Sequence, residues 1–273
     1  MADYGAEYPY HPAACYGGWG QALDLYLDGS VTVCNHAHNG RSTETFRNEG
    51  HFDLIQKQLR PGDYVVLQFG HNDQKHPHLQ AYNGYPENLR RFIAEIRAKK
   101  ALPILATPIA RNTWTEQNGT LRYNDLLHDH AQACITLGKE LNVPVLDLHR
   151  AAMDEIIRLG RDASKIYYHE GDWTHTNDYG AVRAAGYAAV ELRSLGDDFP
   201  EYLPLLQAVS AAIEPWKPEA APLLEKPTRL AGVKDPNGAE NGTAAQDHQA
   251  EKDGGDALAR LLAAVQNARG QNR

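Results

Sequence analysis

Four short, mostly apolar runs punctuate the chain: Val31-Thr32-Val33-Cys34, Tyr64 to Phe69, Leu102 to Thr107 and Val143 to Asp147. They are too short for helices and too continuously apolar for strands with one wet face, so each reads as a strand buried on both sides. Longer segments with helical spacing separate them. Parallel neighbours in one sheet need such crossovers, because a tight turn can join only antiparallel strands. The repeated order of strand, loop and helix therefore demands a parallel sheet with helices packed on both faces.

The intervening segments supply those helices. Gln21 to Leu27 fits a short helix, and Thr43 to Leu59 carries Phe46, Phe52, Ile55 and Leu59 on one side before Arg60-Pro61-Gly62-Asp63 stops it. Leu89, Phe92, Ile93 and Ile96 recur at i, i+3, i+4 and i+7, the clearest amphipathic pattern in the chain. Further helices are expected over 123–141, 151–159 and 178–195, with a short one near 202–213. Residues 1–20, 76–85 and 109–120 read as loops. In the last of these, Trp114 is expected to cover core rather than stack on a sugar.

With 273 residues and 42% hydrophobic composition the chain has material for one sizeable core. The expected organisation is one α/β domain over 1–213. Residues 214–273 form a low-complexity tail dominated by Pro, Gly, Ala, Glu and Asn, with a terminal helix over 257–268.

Composition excludes several functions. The formal charge is −8 without a Lys/Arg block, so nucleic acid is not an expected partner. No run approaches the ~20 apolar residues of a spanning helix, so neither is a membrane. Cys15, Cys34 and Cys134 are odd in number and scattered, which fits buried free thiols in a reducing compartment; an apolar setting would keep Cys34 inert. Thirteen histidines raise a metal site as an alternative. The pairs His36/His38, His76/His78 and His128/His130 have no acidic or Cys partner at a ligating interval, so no metal and no cofactor is expected.

The chemistry concentrates in Asp172-Trp173-Thr174-His175, just ahead of a helical segment. A carboxylate three residues before an imidazole can hold its Nδ1–H while the ring acts as a general base, as acyl transfer requires. Two polar turns at the carboxyl ends of predicted strands, Asn39-Gly40-Arg41-Ser42 and Gly70-His71-Asn72-Asp73, fall where open α/β sheets place their sites.

These three blocks, in this order, resemble those of the SGNH (GDSL-type) hydrolases, and within them the rhamnogalacturonan acetylesterase-like carbohydrate esterases. Gly18-Trp19-Gly20-Gln21 looks like the segment next after the family's first block, so the likeness spans about residues 1–195. The resemblance implies a three-layer α/β/α, flavodoxin-like fold. It implies His175 as general base, Asp172 as its orienting acid, and the Gly40 backbone N–H and Asn72 side chain as oxyanion donors. The substrate it implies is an acetylated pectic or related polysaccharide or oligosaccharide, deacetylated through an acyl-enzyme.

The family's first block, Gly-Asp-Ser, supplies the nucleophile and occurs nowhere in this sequence. Met1-Ala2-Asp3-Tyr4 looks like the residues immediately after that block, so the first, central strand and the serine are expected upstream of residue 1. On that reading the chain as written has no nucleophile and is inactive, and secretion is as open as a cytoplasmic location. Ser42 is a poor substitute, because it lies just beyond the residue expected to serve the oxyanion. The alternatives are a non-catalytic carbohydrate-binding pseudoenzyme, or an SGNH esterase or lipase for another acyl ester.

Overall fold

A computed structural model describes residues 16–209. The expectations for residues 1–15, including Cys15, and for the tail 214–273 lie outside the described residues. The helices are α1 (Trp19–Ala22), α2 (Thr43–Asn48), α3 (His51–Gln58), α4 (Gly84–Ala98), α5 (His128–Leu141), α6 (Leu148–Leu159), α7 (Asp178–Ser194) and α8 (Leu203–Ala208). The strands are β1 (Tyr64–Gln68), β2 (Leu102–Ala106), β3 (Trp114–Gln117), β4 (Thr120–Tyr123) and β5 (Val145–Leu146).

β1, β2 and β5 form a parallel sheet in that order, with Tyr64 opposite Leu102 and Leu105 opposite Val145. Alternation along each strand sends side chains to two cores. Ile104, Ala106 and Leu146 face a cluster built with Trp19, Tyr26 and the small-residue face of α7, including Ala181, Ala185 and Ala188. Leu67 and Leu105 face Phe52, Leu89, Phe92, Ile93, Ile96 and Leu137 from α3, α4 and α5. The result is helix, sheet and helix in three layers.

The apolar stripe of α4 is buried as its spacing requires: Leu89, Phe92, Ile93 and Ile96 are each at most 1% exposed. Burying such a side chain contributes about 1.5–3 kcal/mol relative to leaving it in water, enough to hold a helix whose own propensity is marginal.

Four expectations are corrected. Residues 31–34 do not form a strand: the segment is extended, and its burial alternates from Val31 to His36, but it has no ladder partner among the described residues. A strand needs a neighbour as well as a β-prone composition, and the edge of β1 away from β2 borders an open cleft. Among the described residues the parallel sheet therefore has three strands rather than four. The helix over 43–59 is two helices, broken at Gly50, whose φ of 79° no helix continues through.

The 109–120 loop contains an antiparallel hairpin, β3 and β4. Its two-residue turn is Asn118-Gly119, with φ of 52° and 72°, the backbone that matches the twist of paired strands. Trp114 leans on the core edge beside Ala110 and Ile156, with its Nε1–H donating to Asn112 Oδ1 at 2.6 Å, so it covers core as expected.

Candidate active site

Asp172 and His175 lie in a turn that the chain closes from two sides. Tyr168 and Thr176 face each other as an antiparallel bridge, and His169 N–H donates to the His175 carbonyl at 2.9 Å. At the outer edge, Gly17 N–H donates to the Thr176 carbonyl at 2.8 Å, and Thr176 Oγ1 donates to the Gly17 carbonyl at 2.6 Å. A Cβ on Gly17 would meet Ala181, Asn177 and Asp178 at 3.0 Å, tighter than ordinary contact, so a larger residue here would press on the start of α7.

Asn177 ends the turn and caps α7. Its Oδ1 accepts from Gly180 N–H at 3.0 Å, while Nδ2 donates to the carbonyls of Ile166 and Tyr168 at 2.9 and 3.1 Å. The loop carrying the histidine is thus tied to a rigid helix at its last residue.

Within the turn, Asp172 Oδ1 accepts from the N–H groups of Thr174 and His175 at 2.7 and 3.2 Å. Its Oδ2 lies 2.6 Å from His175 Nδ1. Burial works to raise the Asp172 pKa, but the His175 ring and the two backbone donors outweigh it and hold the carboxyl below its ordinary value. A carboxylate so held has no proton to offer, which assigns the Nδ1 proton to the imidazole and leaves Nε2 as the basic nitrogen. Tyr16 stands edge-on to His175 with ring centroids 5.4 Å apart and stacks on His169 at 4.2 Å.

His175 lines a cleft of about 1380 Å³ that also takes in Gly40 and Asn72, so three of the expected site residues share one cavity and the fourth, Asp172, buttresses it from behind. Gly40 has φ of 74° with open space around it. Asn72 Nδ2 donates to the Arg41 carbonyl at 3.2 Å, and its Oδ1 accepts from Lys75 at 2.8 Å, joining the two polar turns.

Asp73 fixes the same junction from below. Fully buried, it accepts from Thr43 N–H and Oγ1 and from Gly70 N–H, and burial pushes its pKa up in spite of those bonds. Its neighbour His71 turns inward, with Nε2 donating to the Ile109 carbonyl at 2.9 Å; burial, followed by the Arg111 guanidinium, takes its pKa down to about 3. His71 is therefore a neutral structural histidine.

Ser42 is also structural: buried, it caps α2 by accepting from Thr45 N–H at 3.1 Å. Cys134 is buried, with its thiol pushed up to about 12, whereas Cys34 is exposed, contrary to the expectation of burial, because alternate side chains of the 31–36 segment face out.

A second Asp–His pair has a different character. Buried His149 has both ring nitrogens engaged, Nδ1 with the Pro108 carbonyl at 3.2 Å and Nε2 with Asp125 at 3.0 Å, so neither nitrogen faces a substrate. Among the described residues no three His, Cys, Asp or Glu side chains converge as a metal site, and no helix is long and apolar enough to cross a membrane. Sequence reasoning missed the Gly17–Thr176 clamp, a contact between segments 159 positions apart with no local signal.

A three-layer α/β/α domain presenting an aspartate-held histidine at the carboxyl edge of its parallel sheet is an SGNH-type hydrolase, by family resemblance a carboxylic ester hydrolase. The chain belongs to the GDSL-like lipase/acylhydrolase family, whose model matches residues 1–183. It is 33% identical over 199 residues to rhamnogalacturonan acetylesterase RhgT of Bacillus subtilis (strain 168), covering 68% of this chain and 84% of that one. Rhamnogalacturonan acetylesterase of Emericella nidulans is 30% identical over 190 residues, covering 60% and 74% respectively. The crystal structure of YxiM from Bacillus subtilis matches with a TM-score of 0.59 at 30% identity, covering 68% of this chain and 55% of that longer one.

Proposed function

We propose that the chain works as an acetylesterase on acetylated pectic polysaccharide, with His175 as general base, Asp172 as its orienting and charge-stabilising partner, and the Gly40 N–H and Asn72 amide as oxyanion donors. The observation that carries this reading is the 2.6 Å contact between His175 Nδ1 and an Asp172 carboxyl of lowered pKa, at a cleft that also holds Gly40 and Asn72. The names of the relatives supply the substrate class.

In this reading His175 Nε2 takes the proton of an attacking hydroxyl, and the imidazolium so formed is stabilised by the charge on Asp172. The tetrahedral oxyanion is met by fixed donors rather than by water that must reorganise; a single such donor is worth about 10²–10³ in rate. The hydroxyl belongs to the Gly-Asp-Ser block, which this sequence does not contain.

The test fuses an apolar strand ending in Gly-Asp-Ser ahead of Met1 and compares the fusion with the chain as it stands, on p-nitrophenyl acetate and acetylated rhamnogalacturonan. The fusion is expected to release acetate, His175→Ala to remove most of that turnover, and Asn72→Ala to reduce it by the smaller factor of one oxyanion donor. Equal turnover by the fusion and its His175→Ala variant refutes the assignment.

A further inference from the structure

Arg111 sits in the connection after β2, in the wall of the same cleft as His175. Its Nη2 donates to the His71 carbonyl at 3.2 Å, its Nε is buried without a hydrogen-bond partner, and no carboxylate lies within ion-pair distance of it among the described residues. The nearest opposing charge, Asp172, is engaged by His175 and by two backbone N–H groups. The adjacent His71 ring is neutral, so it neither shares nor offsets the charge. A half-buried guanidinium left in this state is costly, because among the described residues no carboxylate offsets its desolvation.

Lys57, Arg60 and Asp63 line the cleft before the amino end of β1, whereas the cations at the carboxyl edge of the sheet, where His175 stands, are Arg41, Lys75 and Arg111. Of these cations, Arg41 is taken up by Glu49 at 2.7 Å, and Lys75 reaches the Asn72 side chain at the exposed rim. Arg111 is the one that is both buried at Nε and beside the Asp172–His175 pair.

We propose that Arg111 is the anion-recognition residue of this cleft and takes the carboxylate of a uronic acid in the bound glycan, placing a neighbouring acetylated sugar against His175. The proposal rests on the pectic-polysaccharide reading above, since a uronate is what separates those chains from neutral acetylated glycans. Guanidinium suits this role because it stays charged and its planar donors match a carboxylate edge to edge. Selectivity for acidic over neutral glycans results, because a neutral sugar leaves the buried cation without a counter-charge while a uronate supplies one.

Calorimetric titration tests this without requiring turnover, which separates its failure from that of the esterase assignment. The chain, Arg111→Gln and Arg111→Lys are each titrated with a rhamnogalacturonan oligosaccharide and with the same oligosaccharide after its carboxyls are reduced to alcohols. The chain is expected to prefer the acid form by about 10- to 100-fold, the range of a charge-assisted hydrogen-bonded pair. Arg111→Gln should bind both forms with the weaker affinity, and Arg111→Lys should retain part of the preference.

Thermal unfolding of Arg111→Gln at or above the wild-type temperature checks that the fold survives, as loss of an unpaired buried cation predicts. An undiminished acid preference in Arg111→Gln overturns the proposal. So does equal binding of the two oligosaccharides by the chain itself, or no binding of the acid form at millimolar concentration.

Discussion

Replacing Asn177 by alanine should destabilise the domain by about 4–6 kcal/mol, far more than an ordinary helix cap. The cap alone accounts for roughly 1 kcal/mol, the usual cost of deleting an Asn whose oxygen accepts from the first turn. Here Oδ1 accepts from Gly180 N–H at 3.0 Å, while Nδ2 donates to Ile166 and Tyr168, and the residue is 3% exposed. Each lost donor removes about 1 kcal/mol, and the Tyr168 carbonyl, buried at that bond, adds a desolvation penalty of about 1–3 kcal/mol when left without a partner.

Asn177→Ser dissects the sum. Serine keeps a capping oxygen but cannot donate to two carbonyls, so it should recover about 1 kcal/mol of the loss and no more. Urea unfolding of the three proteins, followed by far-UV circular dichroism, reads both differences. A loss below about 1 kcal/mol for the alanine variant, or a serine variant as stable as wild type, would show that Asn177 is only a cap and that the His175 turn is held by something else.

Glu155 offers a pH test of the helical layer. It receives Arg183 at 2.7 Å from Nε, together with the hydroxyls of Tyr167 and Tyr187, while being 8% exposed. Burial alone would raise its pKa, but these donors outweigh it and hold the pKa below the ordinary value of 4.5. Its stabilising contribution is therefore complete above the unfolded-state pKa and is lost as pH falls through the lower folded one. Glu155→Gln should cost about 3 kcal/mol at neutral pH, the low end for a broken buried pair because Arg183 keeps 20% exposure. Its melting temperature should fall less steeply below about pH 4 than that of wild type; parallel profiles would dismiss the idea. For the thiols, a disulfide reagent should modify exposed Cys34 in the native protein and reach Cys134, buried and raised to about 12, only on unfolding. Mass spectrometry of the labelled peptides reads the order directly, and early labelling of Cys134 would contradict its burial.

Chemistry that depends on neighbours in the chain was legible in advance. The i, i+3, i+4, i+7 stripe of α4, the apolar runs of β1, β2 and β5, and the three-residue interval between Asp172 and His175 are local patterns, and the backbone geometry they imply leaves little choice of outcome. Asn118-Gly119 was equally local: the two residues favour positive φ and so build a hairpin turn inside a segment that reads as a polar loop. Other features depend on contacts across space. Val31 to Cys34 has the composition of a strand, yet strand formation is a property of two segments, and no described partner hydrogen-bonds to it. The clamp of Thr176 by Gly17, the inward turn of His71 and the exposure of Cys34 depend on which surfaces the fold brings together. So does the charge of Arg111, which lacks a carboxylate partner among the described residues. The layers, the parallel sheet and the pairing of His175 with Asp172 could be read from the residues alone, because short-range periodicity and spacing encode them. That His71 donates inward to the Ile109 carbonyl and stays neutral, and that Arg111 stands in the cleft with no carboxylate partner among the described residues, emerged only from the folded chain, because burial and pairing are set by residues distant in sequence.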